Sequence, residues 1–223
     1  MLTARARFDR ALRDLQDEVL VLASMVDKAI ERSIEALRHL DHQAARQIIQ
    51  DDDAIDQKRF QIENQAIELI AMQQPMARDL RTIVAVLNIV VELERMGDYA
   101  EGNAKIVLLH GDQPLLKPLI DIPRMADKAR DMLRRSLDAF IERDVEAAKR
   151  IAAEDDEVDA LYDQVYRELL TYMLNDPRTI DRATWLLWVS HNLERIADRV
   201  TNICERVVYE VTGKMEEMNV SKY

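Results

Sequence analysis

The sequence predicts an all-α protein built as two tandem three-helix bundles related by an internal repeat, and three observations carry that expectation. Glycine and proline are scarce, 4 and 5 in 223 residues, which points to long helices joined by few turns. Apolar residues recur at steps of three and four along most of the chain. The second half also repeats the first: aligning 36–56 with 139–159, an offset of 103, gives 8 identities in 21 positions without a gap. Two repeats are therefore expected, over residues 1–112 and 113–223, each burying its own apolar stripe.

The first helix is expected from about Ala6 to Leu40, where Leu12, Leu15, Val19, Leu22, Val26, Ile30, Ile34 and Leu37 fall on one face. Asp41 breaks that run and is suited to cap the helix that follows. The second helix is expected over about Gln43 to Gln73, with Ile48, Ile55, Phe60, Ile62, Ile67 and Leu69 available for the core. Pro75, tolerated in a first helical turn, opens the third helix, which runs to about Leu109 before a linker over 111–118. The second half follows the same plan, with helices at about Ile122–Glu142, Val145–Leu174 and Arg178–Val211. Asp144 stands where Asp41 stood, and Pro177 where Pro75 stood. From Lys214 onward the chain is polar and expected to fray.

The net charge of −11 argues against nucleic acid as the main partner and against adsorption to an anionic membrane. With 48% apolar and 33% charged residues, the composition is that of a globular chain. No run approaches the ~18 apolar residues of a membrane span. The single cysteine, Cys204, forms no intramolecular disulfide and suits a reducing compartment. The first residues, Met1 to Arg5, lead into charged helix and not into the apolar core of a signal peptide. A cytoplasmic protein is expected.

Against this helical background, one stretch stands out because it occurs twice. Leu93-Glu94-Arg95-Met96-Gly97-Asp98 returns 100 residues later as Leu193-Glu194-Arg195-Ile196-Ala197-Asp198. In each copy two carboxylates at i and i+4 share a helical face directly after a strongly apolar segment. The preceding helix of each half carries a second pair: Asp52/Asp56 and Asp155/Asp159. Asp56 lies 19 residues before Pro75 and Glu94 19 after it; Asp159 and Glu194 lie 18 and 17 residues from Pro177. Antiparallel neighbours would therefore bring the two pairs of each half to one level. Acids at this spacing are ordinarily a solvated face, and it is the repetition, the matched distances and the apolar context that favour a site. Four facing carboxylates repel, and a bound cation resolves the conflict; an all-oxygen ligand set suits magnesium, manganese, calcium or iron.

Other candidates are weaker. His191 could add a nitrogen ligand in the second half alone, since its counterpart is Val91, but a surface or hydrogen-bonded role is the simpler expectation. Asn202 extends the Glu194/Asp198 line by one turn, where the first copy has Gly102. Arg95 and Arg195 are expected to pair with neighbouring acids, the methionines to fill the core, and Cys204 to pack as a small apolar residue.

Five segments in register give the chain its resemblance to a known family. They are Asp52-Asp53-Ala54-Ile55-Asp56, Asp79-Leu80-Arg81-Thr82-Ile83, Glu94-Arg95-Met96-Gly97-Asp98, Asp155-Asp156-Glu157-Val158-Asp159 and Glu194-Arg195-Ile196-Ala197-Asp198. Together with the length and the two-repeat layout they resemble the PhoU family of phosphate-signalling proteins, with Ala197 where the family often has glycine. The resemblance implies metal clusters held at the bundle surface by the Glu/Asp-x-x-x-Asp motifs. Carried over by position, the ligands are Asp52, Asp56, Glu94, Asp98, Asp155, Asp159, Glu194 and Asp198, and the cofactor expected is metal, iron or zinc first, with manganese or magnesium as further fits. The resemblance also implies a non-enzymatic, dimerising adaptor. It would repress the phosphate-starvation response by linking the ATPase subunit of a phosphate ABC transporter to a sensor histidine kinase, reaching the membrane only through those partners. The competing reading is a carboxylate-bridged metalloenzyme or metal-storage bundle. Ferritin-like sites of that kind use Glu-x-x-His, and no glutamate here has histidine three residues later.

Overall fold

A computed structural model describes residues 4–218. The expectations for residues 1–3 and for fraying at 219–223 lie outside the described residues. The described residues form seven α-helices: α1 (Ala4–His39), α2 (His42–Gln73), α3 (Ala77–His110), α4 (Asp121–Glu142), α5 (Val145–Ala153), α6 (Asp155–Asn175) and α7 (Ile180–Thr212), with a 3₁₀ turn at Pro177–Thr179. Helices α1, α2 and α3 make the first bundle. In the second, α4, the α5/α6 pair and α7 take the same places.

The repeat extends to the way the helices end. Leu40 and Arg143 close α1 and α4 in left-handed conformations, with φ of 51° and 58°. In both places the next amide bonds back, Asp41 N to Ala36 O and Asp144 N to Ala139 O, each at 2.9 Å. The two aspartates then cap the following helices. Asp41 Oδ1 accepts from Gln43 N and Ala44 N, and Asp144 Oδ1 accepts from Ala147 N.

Three features differ from the expected plan. Pro75 precedes α3 without entering it: Gln74, at φ 47°, closes α2, and α3 starts only at Ala77. The expected fifth helix is broken at Glu154, where Lys128 and Arg135 of α4 hold the carboxylate at 2.7 and 2.5 Å. Those contacts push the Glu154 carboxyl down to about 2, the Arg135 hydrogen bond being the main cause. Finally, Phe60 and Ile67 face solvent, as do Met72 and Met76, so these apolar residues and methionines are not core.

The two bundles share one hydrophobic core. Ile83, Val86, Ile89, Leu93, Met96 and Val107 of α3 and Leu186, Val189, Leu193, Ile196, Val200 and Cys204 of α7 are all fully buried. Each of these helices is covered on more than one side, so the halves do not bury separate stripes. Helices α3 and α7 run antiparallel against each other. Thr82 Oγ1 donates to Glu210 Oε1 at 2.7 Å at one end of the seam, and His110 packs on Trp185 at 5.3 Å at the other. Between them, Asn192 donates to Asn103 at 2.9 Å and Arg199 reaches Glu92 at 3.3 Å. Across the axis relating the halves, Arg130 of α4 grips Asp27 of α1, its own counterpart at the offset of 103, with bonds of 2.8 and 3.1 Å. The connection over 111–120 is fixed as well: Leu115, Leu116 and Leu119 pack on the core, and Lys117 is buried against Glu168.

His110 supplies a pH dependence. It is buried, with no side chain hydrogen-bonded to its ring and the backbone at Gly111 partly offsetting the burial, while Arg182, His42 and Asp112 stand around its end of the seam. Burial, in the first place, holds its pKa below the usual 6.5. The unfolded chain therefore takes up the proton first, so the His110 contribution to stability is intact above about pH 6.5 and declines as the pH falls below it. A melting-temperature series from pH 7.5 to 5 should fall less steeply for His110→Leu than for the parent. Parallel curves would contradict this assignment.

Candidate metal centres

The first site lies between α2 and α3. Gly97 permits the close approach: a Cβ there would meet Ile55 at 3.2 Å and Asp52 Oδ1 at 3.3 Å. Asp52, half-buried on α2, is pushed up to about 7, by burial first and then by the negative charges of Glu101, Asp98 and Asp56. Asp98 is raised for the same reasons: burial, then Glu94, Asp56 and Glu101. The expected four acids are thus brought into electrostatic contact. They are joined by a fifth, Glu101, three residues beyond Asp98 on the same face. The repeat could not reveal Glu101, because its counterpart is Thr201; the acid line Glu94, Asp98, Glu101 at steps of four and three was the available signal. Glu94 Oε1 accepts from Arg59 Nη1 at 2.8 Å, and Glu101 pairs with Lys105 at 2.5 Å.

The second site lies between α6 and α7. Tyr162 of α6 packs near His191 of α7, ring centroids 6.1 Å apart, and that antiparallel register sets Asp159 level with Glu194 and Asp155 level with Asp198. Glu194 is pushed up to about 7, chiefly by burial, then by Asp198, with Asp159 adding to it. Its Oε2 atom is buried without a hydrogen bond, and His191 Nδ1 stands 3.5 Å from it. Asp198 pairs with Arg195 at 2.5 Å, and Asp155 is the buried first residue of α6. Asn202 turns away to donate to Glu92 across the seam, while Arg95 is exposed. Cys204 is fully buried and its thiol is pushed up to about 12, mainly by burial, so it packs as an apolar residue.

One repeated feature escaped the sequence reading. Arg32 binds Asp51 at 2.6 Å, and Arg135 binds Glu154 at 2.5 Å; both members are related by the offset of 103. Each pair anchors the residue directly before Asp52 or Asp155 to the first helix of its own half.

The donor set fits a cation. It is all oxygen apart from His191, two of its members are pushed up to about 7 by burial and then by neighbouring negative charge, and Glu194 Oε2 lacks a donor. Among the described residues no three such groups already converge on a point. Glu94, Asp198 and Glu194 are turned instead toward Arg59, Arg195 and His191. A cation would be held by rotating these side chains, with the helices already in place.

Comparison with known proteins agrees with this architecture. The family model described as PhoU domain matches twice, over residues 19–107 and 122–207. The chain belongs to the PhoU family. Each PhoU match contains one complete set of the acids described above, with Glu101 in the first. The phosphate-specific transport system accessory protein PhoU homolog of Clostridium acetobutylicum is 40% identical over 216 residues, covering 96% of this chain and 99% of the relative. The homolog of Aquifex aeolicus is also 40% identical, over 206 residues, covering 92% and 93%. The crystal structure of PhoU from Pseudomonas aeruginosa superposes with a TM-score of 0.87 at 33% identity, covering 93% of this chain and all of that one. The phosphate transport system regulatory protein PhoU from Streptococcus pneumoniae gives the same TM-score at 32% identity, covering 94% and 99%.

Proposed function

We propose that this protein is a regulatory adaptor of phosphate uptake that works by binding, and that its two carboxylate sites take metal ions, iron or zinc first. The observation that carries the reading is the pairing of near full-length relatedness to accessory proteins of phosphate-specific transport with two acid sets, one in each half, flanking one shared core. Side chains such as Glu94, Glu194 and Asp198 are 17%, 20% and 22% exposed, so they are largely covered but still reach solvent between the helices. Ferritin-like redox or storage sites are instead built in the bundle core. A surface metal reverses local charge and gives a partner something to grip, which suits contact with other proteins. In this reading the partners are the ATPase subunit of the phosphate transporter and the cytoplasmic domain of a sensor kinase. The effect on the starvation response is negative, and the working form is a cytoplasmic homodimer. Among the described residues no helix is long and apolar enough to cross a membrane, so membrane contact would come through those partners.

The test combines capture with elemental analysis. Tagged protein from phosphate-replete cells should bring down the transporter ATPase or the kinase and should carry metal. The Glu94→Ala/Asp98→Ala/Glu194→Ala/Asp198→Ala variant should remain helical by circular dichroism, carry none and capture less. Failure to recover either partner with the parent protein would remove the adaptor reading. Metal-free parent protein after reconstitution with iron, zinc, manganese and magnesium would remove the metal.

A further inference from the structure

Each carboxylate site already holds a positive charge of its own. In the first, Arg59 Nη1 lies 2.8 Å from Glu94; in the second, Arg195 Nη1 lies 2.5 Å from Asp198. We propose that Arg59 and Arg195 are resident counter-ions, occupying the two sites in the metal-free protein and yielding to an incoming cation, so that they set the concentration at which each site fills. The inference rests on the metal reading above and concerns only this chain's own arginines.

Three observations support it. First, the arginines come from non-equivalent positions. Arg59 projects from α2, where its counterpart at the offset of 103 is Tyr162; Arg195 projects from α7, and its counterpart Arg95 is exposed. The repeat thus supplied the acids twice, while each half provides its counter-ion from a different place. Second, both arginines are helical neighbours of the acids. Asp52, Asp56, Arg59 and Glu63 follow at steps of four, three and four on one face of α2, and Arg195 stands three residues before Asp198, within reach of it on α7. Third, each arginine has a second partner to fall back on. Arg59 also binds Glu63 at 2.9 Å and lies over the Phe60 ring at 5.3 Å, and Arg195 is supported by Tyr99. Release from the site therefore strands neither guanidinium.

The physical consequence is a trade-off. Without metal, the arginine relieves the repulsion of crowded carboxylates and stabilises the fold. With metal, a guanidinium a few ångströms from a divalent ion opposes it, by repulsion and by competing for the same oxygens. A purely structural arginine would behave differently, because its removal would weaken fold and metal binding together.

The experiment uses full-length protein stripped by chelator and titrated with Mn²⁺, free metal being followed by electron paramagnetic resonance, with a parallel Zn²⁺ series followed by titration calorimetry. Arg59→Gln and Arg195→Gln should each tighten one class of site, about tenfold, while the metal-free melting temperature drops by about 2–4 °C. Arg59→Lys and Arg195→Lys keep the charge and should bind close to the parent. Unchanged or weaker binding in both glutamine variants, with the parent binding normally, overturns the counter-ion role and leaves the metal sites standing. A parent that binds neither ion instead overturns the metal reading, and the counter-ion proposal with it. Should a glutamine variant fail to fold, Arg59→Met or Arg195→Met at the same position, which keeps an unbranched stem and removes the charge, decides: tighter metal binding than the parent supports the role, and no change opposes it.

Discussion

Arg143→Ala is expected to destabilise the protein by about 3 kcal/mol, lowering the melting temperature by roughly 6–12 °C. The reason lies at the far end of the α3/α7 seam. Glu210 is fully buried near the end of α7; Thr82 donates to its Oε1 at 2.7 Å and Arg143 Nε at 2.9 Å, while Oε2 has no partner. Removing the arginine leaves a buried carboxylate with one hydroxyl for support, and breaking a buried pair costs far more than the pair contributes. Removing both members should cost less: Arg143→Ala/Glu210→Leu is expected to recover most of the loss. Thermal denaturation of parent, single and double variants forms the check. Additive losses in the double variant would show that Arg143 acts through its own packing and not through Glu210.

Gly97→Val should have the next largest effect, and it should be selective. The added branches fall where a Cβ alone would already meet Ile55 and Asp52 at 3.2–3.3 Å, and Ile55 is itself buried. Helices α2 and α3 must then separate at the level of the first acid set, at a cost of about 2 kcal/mol from overpacking. Metal analysis should show the first site lost and the second, which has Ala197 at the equivalent position, retained. Equal loss at both sites would mean that Gly97 is a global packing residue without a particular role in the cradle. Gly97→Ala is the milder companion, since Ala197 shows that the architecture accepts a methyl group at the equivalent place in the second half.

The sequence is a good guide wherever a local rule and the repeat agree. Asp41 and Asp144 are legible as caps because an N-cap needs only one acceptor in front of a periodic apolar run. The acid pairs are legible because spacing on a helix fixes which side chains share a face. Glu101 is hidden because its counterpart is Thr201, so repetition, the filter that brought out the other acids, removes it from view. The break at Glu154 has no local signal either, since its counterpart Asp51 is held by an arginine in the same way and α2 runs through it unbroken. The wider covering of α3 and α7 is hidden for a similar reason. A stretch such as Ile83-Val84-Ala85-Val86-Leu87 reads as strongly apolar, but only the assembled structure shows that a second bundle accounts for part of it. Phe60 and Ile67 mark the opposite failure, where apolar periodicity in α2 is spent on solvent.

The shared core makes this chain, in effect, a dimer of its own repeat held together by a tether. The segment 111–120 keeps each half at high effective concentration for the other, and its leucines and Lys117 fasten it to the surface it spans. Neither α3 nor α7 has a solvent face wide enough to let one half melt while the other stays dry. Loosening either bundle uncovers the principal helix of its neighbour, so heat or denaturant should meet a single cooperative transition.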